Sequence, residues 1–364
     1  MGRGLATALL ATSLLLVAAA TIADNVVDGA ADEPLVRAEI HPEDRLSAAL
    51  AAMRDGRYAV ATQRLAQLLS IEPNFRLAQL LYAQALALRS GGRVDPPPAN
   101  EDDPRLGALL AEYRNRSDAL RALPAPGLVP SLLMKLSDQI GNVLVVDLGK
   151  GRAYLIDNNG SGQYVVRNLY AGIGRNGYGK RNAGDLRTPV GIYRVTGWMD
   201  DDQLPTLYGA GALPLSYPNS WDRSLGRTGS GIWLHGVPTD TYVRAPRSSE
   251  GCVTFSNNDL LSLRSQLRVD STPVILAEQL DWVPAAQLDA EREPLLKAIE
   301  DWRSQGEITL SDLSLFAYPG ESGLVLAQFV QNQTGDNLAS GARTDQYWRR
   351  QDDGAWKIVR EMNR

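Results

Sequence analysis

Cysteine and histidine are almost missing: one Cys, Cys252, and two His, His41 and His235, occur in 364 residues. That is too few for a four-Cys, two-Cys two-His or three-His metal cage, and a lone thiol forms no disulfide within its own chain. An excess of positive charge is lacking too, with 37 Lys+Arg against 42 Asp+Glu and a net charge of −5. No basic field exists to neutralise many phosphates, which argues against nucleic acid as a partner. What is present is ordinary for a soluble globular chain, 44% apolar and 22% charged residues. The length predicts about two to three domains.

Arg3 precedes an almost wholly apolar run, Leu5 to Ala20, followed by the small residues Ala18-Ala19-Ala20 and Thr21-Ile22-Ala23. Residues 1–23 read as a secretory signal peptide cleaved after Ala20 or Ala23. The competing reading is an uncleaved anchor, because the run approaches the ~20 residues of a spanning helix. In either case the body of the protein leaves the cytoplasm, and an unpaired thiol is unusual outside it.

Residues 40–123 form a helical module. Leu46, Leu50 and Met53, then Leu65, Leu68 and Leu69, then Leu77, Leu81 and Leu86 recur at helical spacing. Gly56-Arg57-Tyr58 and Pro73-Asn74-Phe75 resemble a tetratricopeptide unit, but the repeats are fewer than a free-standing solenoid needs. The stripe is read as a module packed on its neighbour, with a groove for a protein partner as the alternative. Pro96-Pro97-Pro98 marks a linker, and a further helix spans Pro104 to Leu123.

From about Ile140 the period falls from 3.6 to 2. Val143 to Asp147, Ala153 to Ile156 and Tyr164 to Val166, separated by Gly149-Lys150-Gly151 and Asn158-Asn159-Gly160, predict a β-meander and argue against a parallel βαβ sheet. Gly172-Ile173-Gly174-Arg175-Asn176-Gly177 is formally a dinucleotide fingerprint. The polar run Tyr178 to Asp185 that follows cannot open the apolar helix such a loop requires, so no nucleotide cofactor is implied.

The chemistry lies between Gly229 and Asp259. Gly231 to Gly236 reads as a strand ending in His235 at a Gly turn, and Gly251-Cys252 follows seventeen residues after the His. Alone, each is more often structural. Together they are the only Cys and the only His of the β region, each beside a glycine that lets backbone approach closely. A cysteine nucleophile needs an imidazole to depress its pKa and later to protonate a leaving amine, and backbone N–H donors for the oxyanion.

His235-Gly236 with Ser249-Glu250-Gly251-Cys252 resembles the signature of the YkuD-type L,D-transpeptidases. Gly184-Asp185, Thr188-Pro189 and Gly191-Ile192-Tyr193 match the family's other marker, and Tyr217-Pro218-Asn219 with Asp222 also fits. The resemblance covers roughly residues 140–282. It implies Cys252 as nucleophile, His235 as base, and the Gly251 and Cys252 amides as oxyanion donors. Substrate binding would involve Gly236, Tyr242, Arg244, Arg247, Ser249 and Thr254, with Ser249 shaping the thiol turn. Thr254 stands where many members carry Arg or Asn, and Arg244 or Arg247 is the alternative source of a cation.

The implied substrate is a peptidoglycan tetrapeptide stem, cut between diaminopimelate and D-Ala through a thioester. Neither metal nor cofactor is implied. Transpeptidation, L,D-carboxypeptidase or related hydrolysis, and an inactive wall-binding scaffold remain as readings, and oligomeric state stays open.

Residues 290–364 suggest a short helix, Leu295 to Gln305, and then strands, similar to the cone-type α+β accessory domain found in one branch of the family. With only one helix before the strands, a sheet packed on the catalytic domain or on a second protomer is favoured over a ligand cavity. The expected fold class is multidomain α+β: a helical module, a β-rich catalytic domain and a small α+β domain.

Overall fold

The computed structural model describes residues 41–92, 103–121, 124–158, 163–306, 308–333 and 341–363. The signal segment and the Pro-rich linker lie outside them. The chain divides into two units, one holding the described residues up to Leu120 together with Asp240–Tyr242, the other holding the remainder.

The first unit consists of α1 (Pro42–Arg54), α2 (Tyr58–Ile71), α3 (Arg76–Arg89) and α4 (Pro104–Arg121). His41 caps α1, its ring nitrogen accepting the Glu43 N–H, and Pro42 occupies the first helical turn, where its missing donor costs nothing. Leu46, Ala49 and Leu50 bury with Ala61, Leu65 and Leu68 and with Leu77, Leu81 and Ala85. Leu86, expected in the stripe, is 36% exposed; the four-residue step from Leu81 lands on Ala85 instead.

The second unit begins with β1 (Leu128–Pro130), β2 (Asn142–Asp147), β3 (Arg152–Asp157), β4 (Tyr164–Tyr170), β5 (Ile173–Gly174) and β6 (Gly191–Arg194). β7 (Ala212–Pro214), α5 (Ser220–Ser224), β8 (Trp233–His235), β9 (Arg247–Ser249), β10 (Val253–Thr254), α6 (Asn257–Gln266), β11 (Pro273–Ala277) and β12 (Trp282–Pro284) follow. β2, β3 and β4 form the expected meander inside a five-stranded sheet of order β4-β3-β2-β11-β6. The argument against parallel pairing fails at β11, which lies parallel to β2. That strand arrives about 130 residues later through α6, a connection no local pattern announces.

Both faces of this sheet are covered, which is why Val143 to Val146 read as an unbroken apolar run. Leu144 and Val146 face a cluster with Leu234, Val253, Phe255, Leu260 and Leu263, under the strands that carry Cys252 and His235. Val143 and Val145 face a cluster with Phe316, Tyr318, Leu326 and Tyr347 of the C-terminal region.

That region is α7 (Ala285–Gln305) followed by β13 (Ile308–Ala317), β14 (Leu324–Gln333), β15 (Ala342–Arg350) and β16 (Trp356–Asn363), antiparallel in chain order. The helix is longer than expected because it runs through Pro294, carrying Leu288, Leu295 and Ile299 on its buried face. β13 is one strand kinked by a bulge where Asp312 takes φ +58°. The sheet packs on the five-stranded sheet, as expected. Beside α7 there is nevertheless an open cavity of about 610 Å³, lined by Trp302, Trp348, Trp356, Lys297 and Asp301 among others.

Candidate active site

β8 and β10 are parallel neighbours, with Val253 opposite Leu234 and Thr254 opposite His235. This pairing carries the chain from the end of one strand, through a loop and β9, back to the start of its neighbour, so the seventeen-residue spacing closes in space. β9 lies in turn beside β5. The glycines of the formal dinucleotide fingerprint serve this packing: a Cβ on Gly172 would collide with Thr254 and one on Gly174 with the Leu186 carbonyl. No helix follows them.

The turn presenting Cys252 is held by Ser249, whose hydroxyl donates to the Cys252 carbonyl at 2.6 Å and accepts the Gly251 N–H at 3.2 Å. Gly251 sits at φ +130°, and a Cβ there would stand 2.8 Å from the Arg187 carbonyl oxygen, so only glycine fits. Of the two amides expected for an oxyanion hole, that of Gly251 is thus already engaged by Ser249. The thiol donates to the Gly231 carbonyl at 3.4 Å. His235, 2% exposed, has Nδ1 2.7 Å from the Gly236 carbonyl, which assigns the proton to Nδ1 and leaves Nε2 as the basic nitrogen.

Burial pushes the Cys252 thiol up to about 11, against the opposing pull of the Trp233 N–H and the Arg244 guanidinium. Burial also takes His235 down to about 4, its Gly236 contact opposing and Arg244 adding. The resting pair is therefore a neutral thiol and a neutral imidazole, not the depressed-pKa thiolate expected from the sequence.

The expected substrate residues separate. Arg244 is near the thiol, half-buried, its Nη2 donating to the Ser248 carbonyl at 3.0 Å, while Tyr170 Oη donates to the Arg244 carbonyl. Arg247 is exposed on β9. Thr254 is 1% exposed beneath the site, behind Gly172, and cannot meet substrate. Ser249, also 1% exposed, acts only through the turn. Gly236 is enclosed: Asn257 Oδ1 accepts the Ala210 and Val237 N–H groups beside it, leaving no room for a Cβ. Tyr242 is 5% exposed and belongs to the helical unit, stacked on Phe75.

Sequence reasoning missed Tyr208, whose ring stands edge-on to His235 at 4.8 Å and tilted against Trp233 at 5.1 Å. It also missed Asn257, which pins the turn after the histidine, and Arg175, whose N–H donates to the Ser249 carbonyl at 2.8 Å. All three are joined to the site by folding and not by spacing. Among the described residues no group of three or more His, Cys, Asp or Glu is placed to hold a metal ion, and no helix is long and apolar enough to cross a membrane.

Residues 141–276 match the model of YkuD, the L,D-transpeptidase catalytic domain. In fold the chain is similar to Bd1075 of Bdellovibrio bacteriovorus, at 23% identity and a TM-score of 0.54, covering 65% of this chain and 98% of that one. It is also similar to the helical cell shape determining protein Pgp2 of Campylobacter jejuni. A point mutant of Pgp2 gives 18% identity, a TM-score of 0.53 and coverage of 71% of this chain and 100% of that one. Another Pgp2 structure gives 20%, 0.51, 64% and 95%. No curated protein matches the sequence.

Proposed function

We propose, from the premise that residues 141–276 are a catalytic domain of the YkuD type, that the protein is a periplasmic cysteine enzyme acting on peptidoglycan tetrapeptide stems. The observation that carries this reading is the neutral Cys252 thiol on a glycine-built turn, beside a strand whose last residue is a His with Nε2 as its basic nitrogen.

Sγ attacks the carbonyl carbon of diaminopimelate while its proton passes to Nε2. The tetrahedral oxyanion faces the Cys252 amide, since that of Gly251 is engaged. The imidazolium then gives its proton to the D-Ala nitrogen, the C–N bond breaks, and a thioester remains on Cys252. An amine acceptor yields a cross-link or an exchanged stem, and water yields a tripeptide. Arg244 supplies the cation for a substrate carboxylate, in place of the residue that Thr254 replaces. The second reading is hydrolysis of the same bond by the same residues, an L,D-carboxypeptidase. Secretion rests on residues 1–23 acting as a signal peptide.

The test is mass spectrometry of disaccharide-tetrapeptide incubated with the protein, with D-Met as competing acceptor and Cys252→Ala alongside. Tripeptide identifies a carboxypeptidase; D-Met incorporation or dimers identify a transpeptidase. Identical traces from wild type and Cys252→Ala would refute both.

A further inference from the structure

The turn that presents Cys252 also carries an ion pair that takes no part in the proton transfers. β5 and β9 are parallel neighbours with Gly174 opposite Ser249, so the residues that follow them, Arg175 and Glu250, stand side by side. The Arg175 N–H donates to the Ser249 carbonyl at 2.8 Å, which ties its backbone to the nucleophile turn. Arg175 Nη2 lies 3.8 Å from Glu250 Oε1, and the two side chains are 52% and 79% exposed. Cys252 is two residues beyond Glu250, close enough for that carboxylate to act on the thiol.

This pair does not hold the fold together. A pair that does so lies nearby: Lys180 Nζ is 2.8 Å from Asp185 Oδ1, Lys180 is 4% exposed, and Asp185 also accepts the Arg181, Asn182 and Arg187 N–H groups. The Arg175 and Glu250 side chains, in contrast, make no hydrogen bond among the described residues. An exposed pair at that separation adds little to stability. It leaves the donors of a guanidinium and the lone pairs of a carboxylate open to a ligand.

A cation and an anion side by side are complementary to a ligand that carries an anion and a cation on one carbon, a free α-amino-acid centre. Its carboxylate would meet Arg175 as a planar fork, and its ammonium would meet Glu250. The side chain of diaminopimelate ends in such a centre, whereas that of lysine ends in an ammonium alone. Arg244, half-buried and acting on the thiol, is left for the carboxylate at the reacting end.

We propose that Arg175 and Glu250 form a subsite for the zwitterionic end of the diaminopimelate side chain, and so select stems that carry diaminopimelate over stems that carry lysine. This deepens the function proposed above and rests on it. Arg175 reads the carboxylate that distinguishes the two stems, and Glu250 reads the ammonium they share.

The experiment uses the whole chain without its signal segment, as wild type, Arg175→Gln and Glu250→Gln, on disaccharide-tetrapeptides containing either diaminopimelate or lysine. KM and kcat are measured separately, and binding of both stems to the Cys252→Ala form of each protein is measured by calorimetry. Wild type is expected to show a KM about tenfold lower for the diaminopimelate stem, the scale of one charge-assisted contact. Arg175→Gln is expected to raise that KM to the value for the lysine stem without raising the latter, and Glu250→Gln to raise both. Equal KM values for the two stems in wild type, or a loss in Arg175→Gln that falls equally on both, overturns the inference. Should wild type turn over neither stem, the proposed function falls, and the calorimetry decides the subsite: a preference for diaminopimelate that Arg175→Gln abolishes upholds it, and no preference overturns it.

Discussion

Two polar loci lie in the same unit, one a buried carboxylate held by a guanidinium and backbone amides, the other a half-buried thiol with a buried imidazole and, among the described residues, no charged hydrogen-bond partner for either. Asp222 is 0% exposed, yet its carboxylate accepts from Arg227 at 2.8 Å and from the Asn219 N–H at 3.0 Å, and Asn219 and Asp222 cap α5 reciprocally. The Cys252 thiol donates to the Gly231 carbonyl and also meets the Trp233 N–H, the His235 ring meets the Gly236 carbonyl and the edge of Tyr208, and burial favours the neutral form of both. Both loci lie within residues 141–276, the part that matches the YkuD catalytic-domain model. A buried charge with charged and amide partners holds backbone in place, whereas a desolvated thiol keeps its proton.

Removing each locus in turn breaks the comparison most strongly. Cys252→Ala is expected to cut turnover by roughly 10⁴-fold or more while shifting stability by less than about 1 kcal/mol, checked by product analysis and thermal unfolding. Asp222→Ala does the reverse. It leaves the partly exposed Arg227 without its carboxylate and removes the α5 cap, and is expected to cost about 2–3 kcal/mol, read as a lowered melting temperature, with activity retained in whatever fraction stays folded.

The pH dependence sharpens it. With the thiol raised to about 11, iodoacetamide labelling of Cys252 without substrate is expected to be slower than that of a model thiol at pH 6 to 8. The rate should climb roughly tenfold per pH unit toward that value. His235, lowered to about 4, stays a neutral base above that pH, so turnover should remain flat over the range in which labelling rises. A labelling rate already at its plateau at pH 6 would point to a preformed thiolate.

The smallest effect concerns the helical unit. Burial raises Glu112 to about 7, with Arg116 opposing and Glu43 adding. A folded pKa above the ordinary value of 4.5 means that this contribution to stability is full below 4.5 and is lost as pH rises through about 7. The helical signal should therefore melt at a lower temperature at pH 8 than at pH 5, and Glu112→Gln should flatten the difference.

What was legible in the sequence is what local rules govern. The meander follows from turn residues between short β-rich runs, and α4 begins at Pro104 as expected. Cys252 and His235 stood out through scarcity and adjacent glycines. What was not legible depends on contacts distant in sequence: β11 beside β2, Thr254 buried behind Gly172, and Tyr208 against the imidazole. The neutral state of the thiol belongs with these, because spacing can place an imidazole near a cysteine but cannot report how much water has been excluded from both.

The most direct measurement is intact-protein mass spectrometry of the enzyme mixed with tetrapeptide stem and quenched in acid. Wild type should carry an adduct equal to the donor less D-Ala, labile to hydroxylamine as a thioester is and mapping to Cys252, and Cys252→Ala should carry none. Release of D-Ala by wild type and Cys252→Ala alike, with no adduct on either, would contradict a covalent mechanism at this cysteine.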